Sequence, residues 1–350
     1  MNQIEIDGRT VGEGKSCFII AEAGVNHNGS VDCAKKLIDT AKWAGADAVK
    51  FQIFKAEDIV IPQAEKAEYQ KNTTSQDESQ FEMIKKLELG EDEFRYLASY
   101  AREKDILFLS TPFSFKSVDL LEEMGISAYK IASGEITNFP LLEHIARKGK
   151  PIILSTGMST LDEIGEALKA INEAGEKRVV LLHCVTSYPV RIEDINLRAI
   201  ETIRKAFRLP VGLSDHTLGK TSSIAAVVMG ACMIEKHFTL CRNLPGPDHK
   251  ASLEPAELKE LAEAVRDVEK AMGSGIKRPT LEEEKIKLIA RRSIVAATEI
   301  PKDSMITRDM LDIKRPGTGI APKNLMAIVG KRAKDEIPKD SLITWDVLTD

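Results

Sequence analysis

The sequence predicts a (β/α)8 TIM barrel followed by a small, turn-rich C-terminal domain. Eight short apolar runs alternate with amphipathic helical stretches between residues 17 and 272, and polar residues gather at the carboxyl ends of those runs. After residue 290 the composition shifts to short apolar pieces divided by turns, with an internal repeat. An open doubly wound sheet is the competing arrangement; the count of eight and the one-sided polar residues favour closure. A chain of 350 residues has room for one large core and an appendage, which places a barrel at 1–275, a linker at 276–290 and the small domain at 291–350.

After a polar lead-in, Cys17 to Ala21 reads as a fully apolar strand running into Glu22 and the loop A-G-V-N-H-N-G-S. Ser30 can cap the helix that follows; Ala34, Leu37, Ile38 and Ala41 fall at helical spacing, and Gly45 closes it. Ala48 to Ile53 is the next strand and carries Lys50 and Gln52. The interval from Lys55 to Gly90 has no clean period and is predicted as a long loop over the same face. Ile106 to Leu109 then runs into Thr111, Ala128 to Ile131 carries Lys130 into Ser133 and Glu135, and Ile152 to Leu154 runs into Ser155. Val179 to Leu182 leads to Thr186, Val211 to Leu213 to Ser214 and His216, and Met233-Ile234 to His237. The last barrel helix spans Pro255 to Met272, and G-S-G-I-K-R-P-T opens the linker.

In the tail, Glu299 to Thr307 recurs as Glu336 to Thr344, an offset of 37 residues, which predicts two similar halves about a pseudo-dyad. Between the copies, Arg315 sits on the rigid turn K-R-P-G. A net charge of −5 without basic clusters gives no footprint for nucleic acid, so the expected partner is a small molecule. The five cysteines are odd in number, lack C-x-x-C spacing and mostly lie in apolar runs, which predicts reduced core residues and a cytoplasmic protein. The longest apolar run, Ile224 to Ile234, is about half of what spans a bilayer, so no membrane attachment is expected.

The densest chemistry lies between Gly212 and Pro255. Two strands that end on His216 and His237 would make a divalent metal site with open positions for water and substrate, and Asp248 could hold substrate nearby. A histidine at a strand end can also do no more than satisfy a backbone group. Lys50, Lys130, Thr111, Ser133, Ser155 and Ser214 supply the cations and hydroxyls that a multiply charged anion needs. A lysine inside a core strand must find either a carboxylate, such as Glu22 or Glu135, or a substrate.

The pieces I-A-E-A-G-V-N-H-N-G, V-K-F-Q, S-T-P-F-S, Y-K-I-A-S-G-E, I-L-S-T-G-M, L-H-C-V-T-S-Y-P, G-L-S-D-H-T, E-K-H-F-T and P-G-P-D-H-K-A-S-L-E-P closely resemble, in order, the sialic acid synthase family. The tail resembles that family's antifreeze-like (SAF) domain, and the match covers nearly the whole chain. The resemblance implies condensation of phosphoenolpyruvate with an N-acetylmannosamine-type sugar to give N-acetylneuraminate and phosphate, with manganese, or else magnesium or cobalt, as the metal. It implies His216 and His237 as metal ligands and Glu22 as the catalytic carboxylate, with Glu135 beside it. By the same token Lys50, Thr111, Lys130, Ser133, Ser155 and Ser214 would contact phosphoenolpyruvate, and Gln52, Glu135, Tyr188 and Asp248 the sugar. Arg315 would reach the sugar in the partner's barrel, in a domain-swapped homodimer. Legionaminic or pseudaminic acid synthesis, or use of N-acetylmannosamine 6-phosphate, are the neighbouring readings. A non-catalytic carbohydrate-binding protein would explain the tail and nothing in the barrel.

Overall fold

Behind a two-stranded hairpin, β1 (Gln3–Ile6) and β2 (Arg9–Gly12), come the eight strands of the first unit in a computed structural model: β3 (Phe18–Gly24), β4 (Ala48–Ile53), β5 (Leu107–Pro112), β6 (Tyr129–Ile131), β7 (Ile152–Ser155), β8 (Val179–Cys184), β9 (Val211–Asp215) and β10 (Met233–His237). The structure describes residues 3–75 and 77–350; Met1, Asn2 and Gln76, the last within the stretch predicted as a long loop, lie outside the described residues. The strand order β5-β4-β3-β10-β9-β8-β7-β6 is the chain order taken round a ring, and β5 and β6 at its two ends lie side by side. This is the barrel that the sequence predicts. β9 and β10 run past their apolar cores, so that Ser214 and His237 stand on the strands themselves.

Alternation explains why these strands read as continuous apolar runs. Ile19, Ala21, Val49, Leu181 and Ile234 pack outward with helix residues, while Phe18, Ile20, Leu109, Ile153, Val180 and Met233 fill the interior. The helices between strands are α1 (Val31–Ala44), then α2 (Ala56–Ile59), α3 (Glu68–Thr73) and α4 (Gln80–Lys85), then α5 (Glu91–Glu103), α6 (Phe115–Glu123), α7 (Phe139–Ala146), α8 (Leu161–Glu173), α9 (Ala199–Phe207), α10 (Thr221–Val228) and α11 (Pro255–Met272). Ser30 caps α1 by accepting from the Cys33 amide, and Gly45 ends it at φ 84°, a left-handed conformation that glycine adopts without strain. All five cysteines are free thiols. Among the described residues, no helix is long and apolar enough to cross a membrane.

In the first unit two stretches depart from the sequence expectation. The polar lead-in is a hairpin: Asp7 (φ 52°) and Gly8 (φ 73°) make its two-residue turn, and Ile4, Ile6 and Val11 join the interior apolar layer of the barrel. The predicted loop after Lys55 instead holds three short helices, each too brief to show a period. Ser79 and Glu82 box the start of α4, and Met83 on that helix is buried.

The chain divides at Gly273/Ser274. The stretch 276–290 read as a linker carries a further helix, α12 (Leu281–Ala290), capped by Thr280 and Glu283. The second unit then pairs β11 (Ser293–Ala296) with β12 (Leu311–Lys314), and β13 (Arg332–Ala333) with β14 (Leu348–Thr349). Its repeat is a real pseudo-dyad. The Ile300 and Ile337 amides donate to each other's carbonyls at 2.9 Å, and the Asp303 amide bonds the Ala333 carbonyl as the Asp340 amide bonds that of Ala296, both at 2.8 Å.

Candidate active site

Every barrel strand delivers a polar side chain to the carboxyl end, because the interior residue that follows the last apolar layer lies beyond the packed core. Lys50 of β4 is 2% exposed and sits at the centre. Its Nζ lies 2.8 Å from Glu22 Oε2 on β3, 3.6 Å from Glu235 Oε2 on β10, and donates to Thr111 Oγ1 on β5 at 3.1 Å. Lys130 of β6 approaches the other oxygen of Glu235 at 3.4 Å, and Ser214 of β9 donates to that same oxygen at 3.0 Å. Gln52 donates to Glu22 Oε1 at 3.2 Å. Six strands thus contribute to a cluster built on two buried carboxylates.

The two carboxylates are pushed apart in acid strength. Burial raises the Glu22 carboxyl, with Lys50 opposing and Glu235 adding to the rise. Burial also works against the Glu235 charge, but Lys130 and Lys50 outweigh it and hold that carboxyl below its usual range. Lys50 stays protonated, since Glu22 and Glu235 overcome the cost of its burial, whereas burial lowers Lys130. Of the two, Glu22 is therefore the more readily protonated, and Glu235 the one that remains an anion.

Beside this cluster stand the two imidazoles, with ring centroids 5.4 Å apart. His216 Nδ1 lies 2.9 Å from the Val185 carbonyl, a bond in which the nitrogen must donate, so in the neutral ring Nε2 carries the lone pair. His237 is fully enclosed; burial and then His216 keep it neutral, and its Nδ1 is buried without a hydrogen-bond partner. Two imidazoles, one anchored through a backbone carbonyl and one with a buried nitrogen unpartnered, fit a divalent cation. No cluster of three or more His, Cys, Asp or Glu side chains is set to hold an ion among the described residues, so water and substrate would complete its shell.

Tyr188 lies across the pair, 4.2 Å from the His216 ring and 5.7 Å from that of His237, and Tyr69 of α3 packs tilted against Tyr188 with ring centroids 5.1 Å apart. Asp248 is buried, and burial followed by the charge of Glu22 raises its carboxyl to about 6. Together with Gln52 and His237 these groups line a cavity of about 230 Å³ whose other wall is apolar, with Phe54, Ile59, Met83 and Ile84 among its residues. Ser133 accepts from the Gly157 amide at 2.9 Å, and Ser155 Oγ is buried with no partner. A methyl group on Gly157 would sit 2.2 Å from Thr186 Oγ1 and 2.8 Å from Ser133 Oγ, so only glycine lets this loop pass.

The model of the NeuB family matches residues 37–277. The chain belongs to the NeuB family. A SAF domain model matches residues 291–349. The chain is 51% identical over 91% of its length to the N,N'-diacetyllegionaminic acid synthase of Campylobacter jejuni, covering 96% of that protein. It is 38% identical over 93% of its length to human N-acetylneuraminate-9-phosphate synthase, covering 90% of it. Among solved structures it is similar to an N-acetylneuraminic acid synthetase of Leptospira borgpetersenii in complex with citrate, with a TM-score of 0.72 and 35% identity, over 81% of this chain and 94% of that one.

In this NeuB-family barrel the predicted residues gather, with one left aside. Glu135 is on the turn after β6, half-buried, and accepts from its neighbour Asn138 at 2.7 Å rather than from a residue of the buried cluster. Arg315 belongs to the second unit, where it is exposed and its Nε donates to the Ala290 carbonyl. Sequence reasoning missed Glu235, the carboxylate on which both lysines converge, although it stands two residues before His237 and so shares its strand face. It also missed Tyr69, which no periodicity in the 55–90 stretch marks out.

Proposed function

We propose that this protein condenses phosphoenolpyruvate with an N-acetylmannosamine-type aldehyde sugar and water, releasing phosphate and a nine-carbon 3-deoxy-2-keto acid. The observation that carries this reading is the convergence of Lys50, Lys130, Thr111 and Ser214 around two carboxylates, beside an imidazole pair and a sugar-sized cavity. Phosphoenolpyruvate carries two anionic groups, and the two lysines with Ser133 and the unpartnered Ser155 hydroxyl would hold them. His216 and His237 would hold a divalent ion, manganese in our reading, which when bound supplies Lewis acidity toward a carbonyl oxygen.

C3 of phosphoenolpyruvate attacks the aldehyde carbon, forming the new C–C bond as the C=O π pair moves onto the aldehyde oxygen, which takes up a proton to become a hydroxyl, and leaving C2 electron-poor. Water adds at C2, and Glu22, with its raised carboxyl, takes the proton. The resulting carbon carries a hydroxyl and the phosphate; loss of the hydroxyl proton forms the ketone and breaks the C–O bond to phosphate. Lys50 and Lys130 offset the phosphate charge as it departs.

The acceptor cavity supports a neutral sugar. Among the described residues its lining contains no Lys or Arg, so the barrel itself offers a 6-phosphate no cation there, and its apolar wall suits a deoxy carbon and acetamido methyls. Similarity to two N,N'-diacetyllegionaminic acid synthases, at 51% and 48% identity, favours a diacetamido trideoxy hexose over N-acetylmannosamine. Purified protein with a panel of acceptors, read by phosphate release, tests both steps. The diacetamido sugar should exceed N-acetylmannosamine about 10-fold or more in kcat/KM. A preference for the 6-phosphate would overturn the acceptor reading, and no phosphate release with any acceptor would overturn the reaction.

Arg315, exposed in the second unit, is in this reading the residue that a partner subunit presents to the sugar. It is a guanidinium on a turn, able to bind hydroxyl or carboxylate oxygens bidentately.

A further inference from the structure

We propose that the buried ion pair Asp215–Lys236 is a positioning device that sets the distance between the two imidazoles; the inference rests on the metal reading given above. Asp215 and Lys236 immediately precede His216 and His237, and they face one another in the β9–β10 ladder, the last register pair before the two strands part. By alternation they lie on the helix side of the sheet, while Ser214, His216, Glu235 and His237 turn inward. Neither reaches the site, and neither is solvated: both side chains are 0% exposed, with Lys236 Nζ 2.9 Å from Asp215 Oδ2.

The bonds around the pair cross from one histidine's strand to the other's. Lys236, attached to His237, donates to the carbonyl of Thr217, the residue just after His216, at 2.5 Å. Asp215 Oδ1 accepts from the Thr217 amide at 2.9 Å and its hydroxyl at 2.7 Å, and Oδ2 accepts from Ser223 of α10 at 2.5 Å. The peptide that carries His216 is therefore gripped on both sides, by its own strand's aspartate and by the lysine of the neighbouring strand. The β9–β10 register ends at Asp215 and Lys236; beyond it His237 pairs with Glu22 of β3 and the His216 carbonyl accepts from the Val190 amide, so each end is held by its outer neighbour while the bonds of the ion pair tie the two ends to one another.

A buried ion pair is seldom the most stable filling for its space, because desolvating both charges cancels most of their attraction. Two apolar residues of similar volume would pack there as well. What they could not supply is the directed grip on Thr217. The pair thus behaves like the outer hydrogen-bonding partners of metal ligands, whose loss weakens metal binding about 10- to 100-fold while leaving the ligands in place.

The test uses metal-free full-length protein and three variants: the apolar double Asp215→Leu with Lys236→Met, the milder Asp215→Asn, and His237→Ala as the control that removes a ligand. Manganese binding is followed by the electron paramagnetic resonance of the free ion, phosphoenolpyruvate binding to the metal-free protein by calorimetry, and folding by thermal melting. The double variant, which leaves the buried Thr217 and Ser223 groups without these partners, should melt below the parent but fold, and bind phosphoenolpyruvate as the parent does, with its manganese Kd raised about 10- to 100-fold. Asp215→Asn, which keeps the amide bond to Thr217 and loses the charge, should give a smaller rise of the same kind. A folded variant of either sort with parental manganese affinity overturns the proposal, as does equal loss of manganese and phosphoenolpyruvate binding, which marks a general distortion. Should the double variant not fold, Asp215→Asn decides by the same two criteria. If the parent itself binds no manganese, or His237→Ala binds it as well as the parent, the metal reading fails first, and the two failures are told apart.

Discussion

Glu22 and Glu235 enter one buried cluster as the same functional group and differ in acid strength because Lys130 touches only one of them. The proton chemistry should therefore rest on Glu22. Glu22→Gln keeps the volume and the Gln52 contact, so its melting temperature should stay near the parent value while phosphate release falls about 100-fold or more, the usual worth of a general base. A fall in melting temperature with activity retained would make Glu22 a partner for Lys50 and nothing more. Gly157→Ala addresses the opposite side of the site. Its new methyl must displace the Ser133 and Thr186 hydroxyls, and loss of one hydrogen bond to a charged ligand, about 1.5–3 kcal/mol, should raise the phosphoenolpyruvate KM roughly 10-fold or more with a smaller change in kcat. Steady-state kinetics over a range of phosphoenolpyruvate concentrations checks it.

Most barrel strands were legible because they are apolar to the last layer and then abruptly polar, as in I-L-S-T-G-M; β4 and β6 carry a lysine within the strand and were legible from the apolar residues around it. The hairpin was legible in principle, through the alternation of Ile4 and Ile6 before Asp7-Gly8, but its polar outward residues mask it at the scale of a whole domain. The three helices between Lys55 and Gly90 are of four to six residues and hold few buried groups, so no period could reveal them. One consequence lies in α3. Tyr69 covers Tyr188 from that segment, and Tyr69→Ala should raise the acceptor KM several-fold, consistent with an aromatic contact of about 0.5–1.5 kcal/mol, while leaving phosphoenolpyruvate binding unchanged; initial rates against each substrate would show it. The corner between α8 and β8 gives a stability prediction. Glu176 Oε1 accepts from the Lys177 amide (2.8 Å), the Arg178 amide (2.7 Å) and Arg178 Nε (2.9 Å), and although burial opposes its charge, Arg178 and these amides hold the carboxyl below its ordinary value. A carboxyl depressed on folding contributes stability above its unfolded value of about 4.3 and loses it as pH falls through the folded one. Glu176→Gln should lower the melting temperature at pH 7, and the gap to the parent should narrow in melts taken below about pH 4.

At the scale of the whole molecule, the proposed reading in which Arg315 of the second unit serves a partner's barrel makes a sharp prediction. Mixing Arg315→Ala subunits with His216→Ala subunits, each nearly inactive alone, should restore phosphate release, since one barrel in each heterodimer keeps His216 and receives an intact Arg315. A flat baseline after demonstrated subunit exchange would show that each small domain serves its own barrel. The hairpin has a consequence of a different kind. With Ile4, Ile6 and Val11 wedged into the apolar interior at the far end, the barrel is a cup rather than a tube, and traffic must use one rim. Lys50 and Lys130 stand within the strands, whereas Tyr188 and Asp248 stand on loops above them. A sugar seated first would cork the cup over an empty floor. Addition should therefore be ordered, phosphoenolpyruvate before sugar, and an unreactive sugar analogue should inhibit uncompetitively against phosphoenolpyruvate; a competitive pattern would mean that the lower compartment fills by another route.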